Sequence, residues 1–373
     1  MYINDDVKYI GVNDKQIDLF ESLYPAPNGM AYNSYVVLDE KIAVMDTMDR
    51  FFIDEWYEKL EMALNGRKPD YLIVHHMEPD HSAGIKYFAD KYPDAVIVSN
   101  KQSFPMMKGF FGDDFADRRI EVADGSELSL GKYTLKFVTA PMVHWPEVIM
   151  TYVPEMKLVF SADAFGKFGT LDVEDNWVDE ARRYFFSIVG KFGVQTAKLL
   201  GKIEGLPIET ICSLHGPVLK ENISYYVSLY KTWANYDYEE DGICICYCSV
   251  YGHTKAAVEK LADNLKKEGR KVSIYDLARS DVFTVLADAF KYSHLLLASP
   301  TYYGEPFPFM GSFIQRLKER TYKKRKVYLV ENGSWMPNAA NRMKVALDGL
   351  DIELCEKVST IRGAATEDIT IEW

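Results

Sequence analysis

The run His75-His76-Met77-Glu78-Pro79-Asp80-His81 follows directly on the apolar stretch Tyr71–Val74. Four of its side chains, those of His76, Glu78, Asp80 and His81, are of types that bind metal ions. An apolar run ending in such a cluster reads as a buried strand that delivers ligands into a loop at a cleft. Three more candidates stand at similar junctions: His144 after Tyr133–Ala140, Asp163 after Leu158–Ser161, and His215 after Thr210–Leu214. Four imidazoles and three carboxylates suit two ions rather than one. Nitrogen and oxygen donors without a thiolate favour iron, manganese or zinc over a soft-metal site. A single His at a strand end is ordinarily structural, and His75, His253 and His294 are read that way.

A second kind of chemistry is written between the apolar strand Ile243–Cys248 and the amphipathic helix Thr254–Glu268. The loop there is Ser249-Val250-Tyr251-Gly252-His253-Thr254. Free amides at a helix start, with the helix dipole, attract a phosphate. Gly252 lets the backbone approach closely. The loop has no Lys or Arg, so amides and the hydroxyls of Ser249 and Thr254 are the expected donors. Two further loops follow strands: Pro300-Thr301-Tyr302-Tyr303-Gly304 after His294–Ala298, and Asn332-Gly333-Ser334-Trp335-Met336 after Lys326–Glu331. Both leave carboxyl ends of strands, where doubly wound sheets hold ligands. Tyr302, Tyr303 and Trp335 are suited to stack on an isoalloxazine ring.

These loops need elements to hold them. In the first part of the chain, Ser34–Leu38 and Lys41–Met45 flank Asp39-Glu40 as a hairpin. Arg50–Leu64 reads as a helix stopped by Asn65-Gly66. Strand and helix patterns then alternate over Tyr71–His75, Gly84–Lys91, Ala95–Ser99 and Ser103–Gly109. Tyr133–Ala140 and Val148–Val153 form a strand pair, and Glu180–Leu200 and Asn222–Trp233 read as helices. This is mixed α and β with antiparallel strands, compatible with a sheet sandwich covered by helices. The acidic stretch Tyr236–Gly242 reads as a short linker. Beyond it, strands Val272–Asp276, His294–Ala298 and Lys326–Glu331 alternate with helices Val282–Ala289 and Met310–Arg320, the pattern of a doubly wound parallel sheet.

Composition bounds the class. A chain of 373 residues suggests two domains, and 48% apolar residues support packed cores rather than disorder. The net charge of −12 argues against a nucleic-acid surface and an anionic membrane. Met1-Tyr-Ile-Asn-Asp-Asp starts acidic with no apolar core after it, so no secretory leader is expected. No apolar run approaches the roughly 20 residues of a membrane span. The chain reads as cytoplasmic. Cys212, Cys244, Cys246, Cys248 and Cys355 form no Cys-x-x-Cys pair, which excludes a rubredoxin-type iron site or zinc ribbon. The alternating Cys244, Cys246 and Cys248 share one strand face and read as small buried thiols.

The order His-x-Glu-x-Asp-His, then His, Asp and His, resembles the metallo-β-lactamase superfamily, whose usual signature has His where Glu78 stands. Glu at that place is what flavodiiron proteins show. Ser249–Thr254 is similar to the flavodoxin phosphate loop, Ser/Thr-x-Tyr/Thr-Gly-x-Thr. Joined in this order, the two parts resemble flavodiiron proteins over nearly the whole chain. The resemblance implies a metallo-β-lactamase-like αββα sandwich in residues 1–240 and a flavodoxin-like, FMN-binding sheet in residues 241–373. It implies two irons per chain, one on His76, Glu78 and His144, the other on Asp80, His81 and His215, with Asp163 bridging. FMN would be held by the three loops named above. The family reduces dioxygen to water or nitric oxide to nitrous oxide. The resemblance further implies rubredoxin or a similar small donor, and a head-to-tail homodimer or a tetramer, in which FMN of one subunit faces the irons of another.

The chain departs from the family in places. Arg183-Tyr184-Phe185-Phe186 stands where members often show Tyr-Tyr; if Phe185 takes the second place, a phenol near the metals is missing. The loop after Asp163 is short, and His253 stands where Asn or Ser is common. Two rival readings are a dinuclear zinc hydrolase with a flavodoxin-like appendage and a non-catalytic electron carrier with a structural metal site.

Overall fold

Short strands with every side chain buried build the first part of the protein: Tyr35–Val37, Ala43–Met45 and Tyr71–Ile73 have no exposed residue. Such strands are covered on both faces. Tyr35, Val37, Ala43, Met45, Tyr71 and Ile73 turn one way, into a core shared with Phe137, Ile149, Val153, Leu158 and Phe160 of a second sheet. By alternation Val36, Val44 and Leu72 turn the other way. The first sheet has the order Val7–Tyr9, Tyr35–Val37, Ala43–Met45, Tyr71–Ile73, Val96–Asn100, Arg119–Val122. The second runs Glu127–Ser129, Thr134–Thr139, Ile149–Val153, Leu158–Phe160, Thr210–Cys212. The expected hairpin is present, pairing Tyr35 with Met45 and Val37 with Ala43. The helix Ile53–Leu64 buries Ile53, Trp56, Leu60 and Leu64 as one stripe and ends on Asn65 in the left-handed region. Trp56 Nε1 donates to Ser34 Oγ at 3.0 Å, which ties this helix to the sheet.

The computed structural model describes residues 2–365 and 368–373. It forms two compact units, Met1–Tyr184 with Val194–Lys231, and Phe185–Gly193 with Thr232–Trp373. The second unit is a parallel sheet in the order Lys271–Asp276, Glu240–Tyr247, Tyr292–Tyr302, Lys326–Asn332, Glu353–Ile361. In chain order that is 2-1-3-4-5, the flavodoxin-like doubly wound arrangement, with its switch point beside the first strand. Ile243, Ile245, Leu296 and Val330 of the sheet pack with Val258, Leu261 and Leu265 of the helix His253–Lys267. Cys244, Cys246 and Cys248 are fully buried, as read from the sequence.

Three details differ from the sequence reading. Glu180–Leu200 is not one helix: Trp177–Tyr184 is followed by a π-turn at Phe185–Val189, a 3-10 turn at Gly190–Phe192 and a new helix at Gly193–Ile203. Packing overrides periodicity here. Phe186 stacks on Phe290 with ring centroids 3.9 Å apart, and Arg320 Nε donates to the Phe186 carbonyl at 2.8 Å. A π-turn leaves backbone groups that such a guanidinium satisfies. Next, the short acidic linker is itself structured. Tyr236 is buried and donates to the Gly190 carbonyl at 2.7 Å, and the strand already begins at Glu240. The chain passes into the second unit at Thr232, upstream of residue 240. Last, the third strand of this unit runs through Pro300, Thr301 and Tyr302. Thr301 and Tyr302 pair back onto Pro306 and Glu305. The two-residue turn between has Tyr303 at φ 49° and Gly304 at φ 77°, the positive pair that a tight hairpin requires.

Candidate functional site

All seven candidate ligands lie where strands of the first unit give way to loops, and their ligating atoms converge. His76, Glu78, His144 and Asp163 form one group and Asp80, His81 and His215 another, the atoms within each lying inside 4.8 Å of one another. Pro79 opens a single helical turn, Pro79–Ser82, in which both Asp80 and His81 are buried. Thr47 Oγ1 donates to the His81 carbonyl at 2.7 Å and holds that turn down. His144 comes from the loop Pro141–Pro146, where the Val143–His144 peptide is cis. Asp163 lies just beyond the strand Leu158–Phe160, and His215 beyond Thr210–Cys212.

Asp163 sits between the groups. Its Oδ2 is 3.1 Å from His144 Nε2 and 3.5 Å from His76 Nε2. Its Oδ1 is 3.3 Å from His81 Nε2 and 3.8 Å from His215 Nε2. In the first group Glu78 Oε2 is 3.3 Å from His76 Nε2 and 3.1 Å from His144 Nε2. In the second, Asp80 Oδ2 is 3.2 Å from His81 Nε2 and 3.4 Å from His215 Nε2.

The electrostatics call for cations. Neither Asp80 oxygen receives a hydrogen bond, nor does Asp163 Oδ1, although all three atoms are buried. Burial pushes the His76 ring toward neutrality, but Asp163, Glu147 and Glu78 outweigh it and hold the ring's pKa well above its usual range. Burial is likewise overcome at His144, which Asp163 and Glu78 raise to about 9. Burial is also opposed at Asp163, where His76, His144 and His81 hold the carboxyl well below the ordinary carboxylate range. The His81 and His215 Nε2 atoms face each other at 3.1 Å, while His215 Nδ1 donates to the Ala31 carbonyl at 2.8 Å, which turns its Nε2 toward the cluster. Buried carboxylates with unpaired oxygens, facing converging ring nitrogens, fit two metal ions with hard and borderline ligands.

Other residues here escape sequence reading. Glu147 is buried, and its Oε1 lies 2.8 Å from His76 Nδ1. Nothing in the sequence marks it beyond its place after His144. Glu21 lies on an exposed turn, yet its carboxyl end tucks beside Glu78; burial, then the Glu78 charge, pushes it up to about 8. Of the pair Tyr184-Phe185, it is Tyr184 that lies beside the cluster. Tyr184 is fully buried with its ring 5.5 Å from the His215 ring, and its hydroxyl has no hydrogen-bond partner. Phe185 instead packs on Phe186 and Trp233. His75 is structural: its ring lies between Asp46 and Thr151.

In the second unit, Thr301, Tyr302, Tyr303 and Gly304 face Gly333–Asn338 across a cavity of about 850 Å³. Trp335 and Tyr303 are 84% and 92% exposed, aromatic faces open for stacking. Pro300 and Asn332 lie outside this lining; Asn332 is the last residue of its strand and bonds Gly363. The loop Ser249–Thr254 does not line the cavity but leaves the adjacent first strand, at the switch point of the sheet. Gly252, at φ 91°, caps the helix His253–Lys267. Ser249 Oγ accepts from the Gly252 and Lys255 amides, which leaves its O–H free to donate. Val250, Tyr251 and His253 are exposed, whereas Thr254 is 2% exposed. An anion cradle beside a stacking cavity suits a phosphate-bearing flavin.

Two sheets carrying two groups of metal-binding side chains, with a flavodoxin-type sheet beyond them in the chain, are the makings of a two-part metalloflavoprotein. Comparison with known proteins agrees. The ODP family beta lactamase model matches residues 30–216 and the flavodoxin domain model residues 244–364. The nitric oxide reductase of Moorella thermoacetica is 30% identical, over 84% of this chain and 81% of that protein. The flavodiiron protein of Giardia intestinalis superposes with a TM-score of 0.89 at 24% identity, covering 99% of this chain and 93% of the other. The rubredoxin oxygen:oxidoreductase of Desulfovibrio gigas superposes with a TM-score of 0.90 at 22% identity, covering 98% and 94%. The chain belongs to the flavodiiron proteins, oxidoreductases that carry FMN and a diiron site. Among the described residues, no helix is long and apolar enough to cross a membrane.

Proposed function

We propose that this protein reduces dioxygen to water, nitric oxide to nitrous oxide, or both, with electrons passed from FMN to a dinuclear iron site. The observation that carries the reading is Asp163, whose two oxygens each face one imidazole–carboxylate group within 3.8 Å. His76, Glu78 and His144 would hold one iron, Asp80, His81 and His215 the other, and Asp163 both. In functional terms residues 1–240 are the diiron domain and residues 241–373 the FMN domain. When bound, the iron pair and reduced flavin supply up to four electrons, the number that takes dioxygen to water.

The chain's own residues set the conditions for that chemistry. Three anionic carboxylates favour the more oxidised metal state, because buried negative charge is poorly screened. The buried pocket walls, with Phe20 and Tyr32 edge-on to His215, keep bulk water from the cluster. Amides at the start of the helix His253–Lys267 and the Ser249 hydroxyl would bind the flavin phosphate, and Tyr302, Tyr303 and Trp335 the ring. The names of two relatives, a nitric oxide reductase and a rubredoxin oxygen:oxidoreductase, support a diatomic gas as substrate and a rubredoxin-like protein as donor. The flavin and metal loops sit in separate units, and a head-to-tail homodimer would bring FMN of one subunit to the irons of its partner.

The test is anaerobic purification with metal and flavin analysis. Two irons and one FMN per chain are expected, with gas reduction lost in Asp163→Ala while FMN stays bound. Two zinc ions with hydrolase activity and no flavin would overturn the reading in favour of a zinc hydrolase.

A further inference from the structure

The two halves of the metal cluster have unlike surroundings. Behind His76, its Nδ1 lies 2.8 Å from Glu147 Oε1, and the same oxygen accepts from the Met77 amide at 2.8 Å. Two N–H groups thus converge on one carboxylate oxygen, a contact that is strongest when the acceptor is ionised. Glu147 is wholly buried, its other oxygen receives no hydrogen bond, and among the described residues its ion pairing is with His76 alone. Behind the other half the partners are neutral or missing. His215 Nδ1 faces the Ala31 carbonyl at 2.8 Å, and His81 Nδ1 has no hydrogen-bond partner. Each half has one carboxylate of its own, Glu78 or Asp80, and shares Asp163. A further difference is the Glu147 carboxylate, placed one imidazole ring behind the first half.

We infer that Glu147 is a positioning residue that makes the His76–Glu78–His144 half bind a cation more tightly than the Asp80–His81–His215 half. A carboxylate behind a ligating imidazole fixes the ring with its bare nitrogen toward the ion and raises its basicity. Charge buried this deeply is also felt at short range with little screening. The same bias favours the more highly charged ion in the first half whenever the two ions differ in charge. This inference rests on the two-metal reading above.

The test uses cobalt(II) added to metal-free protein under anaerobic conditions, with uptake followed by its visible spectrum. Wild type is expected to bind two ions in two steps of unequal affinity. His144→Ala should remove the tight step and His81→Ala the weak one. Glu147→Gln keeps the side-chain shape and an acceptor for the Met77 amide but loses the charge. It should weaken the tight step about 10–100-fold, the usual effect of losing an outer partner, and leave the weak step in place. Glu147→Asp retains the charge and should bind the first ion more tightly than Glu147→Gln. In the iron-loaded protein, Glu147→Gln should raise the midpoint potential of the iron that oxidises first, with FMN content unchanged. Equal steps in wild type overturn the inference and leave the two-metal site standing. So does a tight step lost with His81, or identical behaviour of Glu147→Gln and Glu147→Asp. Uptake of fewer than two ions by wild type refutes the two-metal reading itself.

Discussion

At the scale of single residues, the cluster is a set of carboxylates that demand positive charge, supplied by protons when metal is absent. His144 shows the consequence for pH. Its pKa is about 9 in the folded, metal-free protein, against an ordinary value of about 6.5. A raised pKa stabilises the fold fully below the lower value, and that contribution fades as pH climbs through the upper one. Metal-free protein should therefore lose stability between about pH 6.5 and 9 in urea denaturation. His144→Gln should flatten that slope; an unchanged slope would show that His144 is not the responsible group. Metal uptake should strengthen over the same interval, because ligand protons compete with the ions. Tyr184 offers a second test. Its buried hydroxyl satisfies no partner, so Tyr184→Phe should leave stability unchanged or slightly raised. A change in gas reduction at equal iron content would then report a role for the phenol at the pocket. The seven ligand candidates were legible in the sequence, since each is a metal-binding type at the end of an apolar run. Glu147 was not, because its partner His76 lies 71 residues earlier and only the fold brings them together. Tyr184 was in view from the family comparison, but its contact with the His215 ring is set by the fold.

At the scale of elements, strand ends aim the ligands, and close backbone contacts leave little tolerance. A methyl group at Gly166 would lie 2.9 Å from the Asp163 carbonyl and 3.2 Å from His215 Cβ. Gly166→Ala should thus push apart two ligands of different strands. The expected cost is about 1–3 kcal/mol of stability, with lowered iron content and unchanged FMN. Normal iron loading would contradict the tight packing inferred there. Periodicity and turn residues made most strands and helices readable, including the hairpin at Asp39-Glu40 and the alternation of the second unit. The broken helix around Phe185–Phe192 was not readable, because the stack of Phe186 on Phe290 and the Arg320 contact are tertiary. The helix Ala339–Leu347 and the strand Glu353–Ile361 also escaped. That last strand lies at the sheet edge with Glu353, Glu356 and Lys357 exposed and its register shifted between Val327 and Leu329, so no clean alternation survives.

At the scale of the whole molecule, the metal and flavin loops belong to different units, and the proposed electron transfer requires their meeting. In the proposed head-to-tail dimer, the irons of one chain would use the flavin of the other. Mixing a metal-deficient variant (His144→Ala with Asp163→Ala) with a flavin-deficient one (Gly252→Trp with Thr254→Ala) should restore part of the activity. No recovery in confirmed mixed dimers would favour catalysis within one chain. The central claim, that one chain's complement of two irons and one flavin stores the electrons for gas reduction, is tested most directly by a single turnover. Protein reduced anaerobically, freed of excess reductant and titrated with dioxygen should consume one dioxygen per chain, oxidise the flavin and both irons together, and release no hydrogen peroxide. With nitric oxide, the same four electrons should convert four molecules to two of nitrous oxide. Protein that holds two zinc ions, consumes neither gas, or returns its electrons only as peroxide would contradict the account.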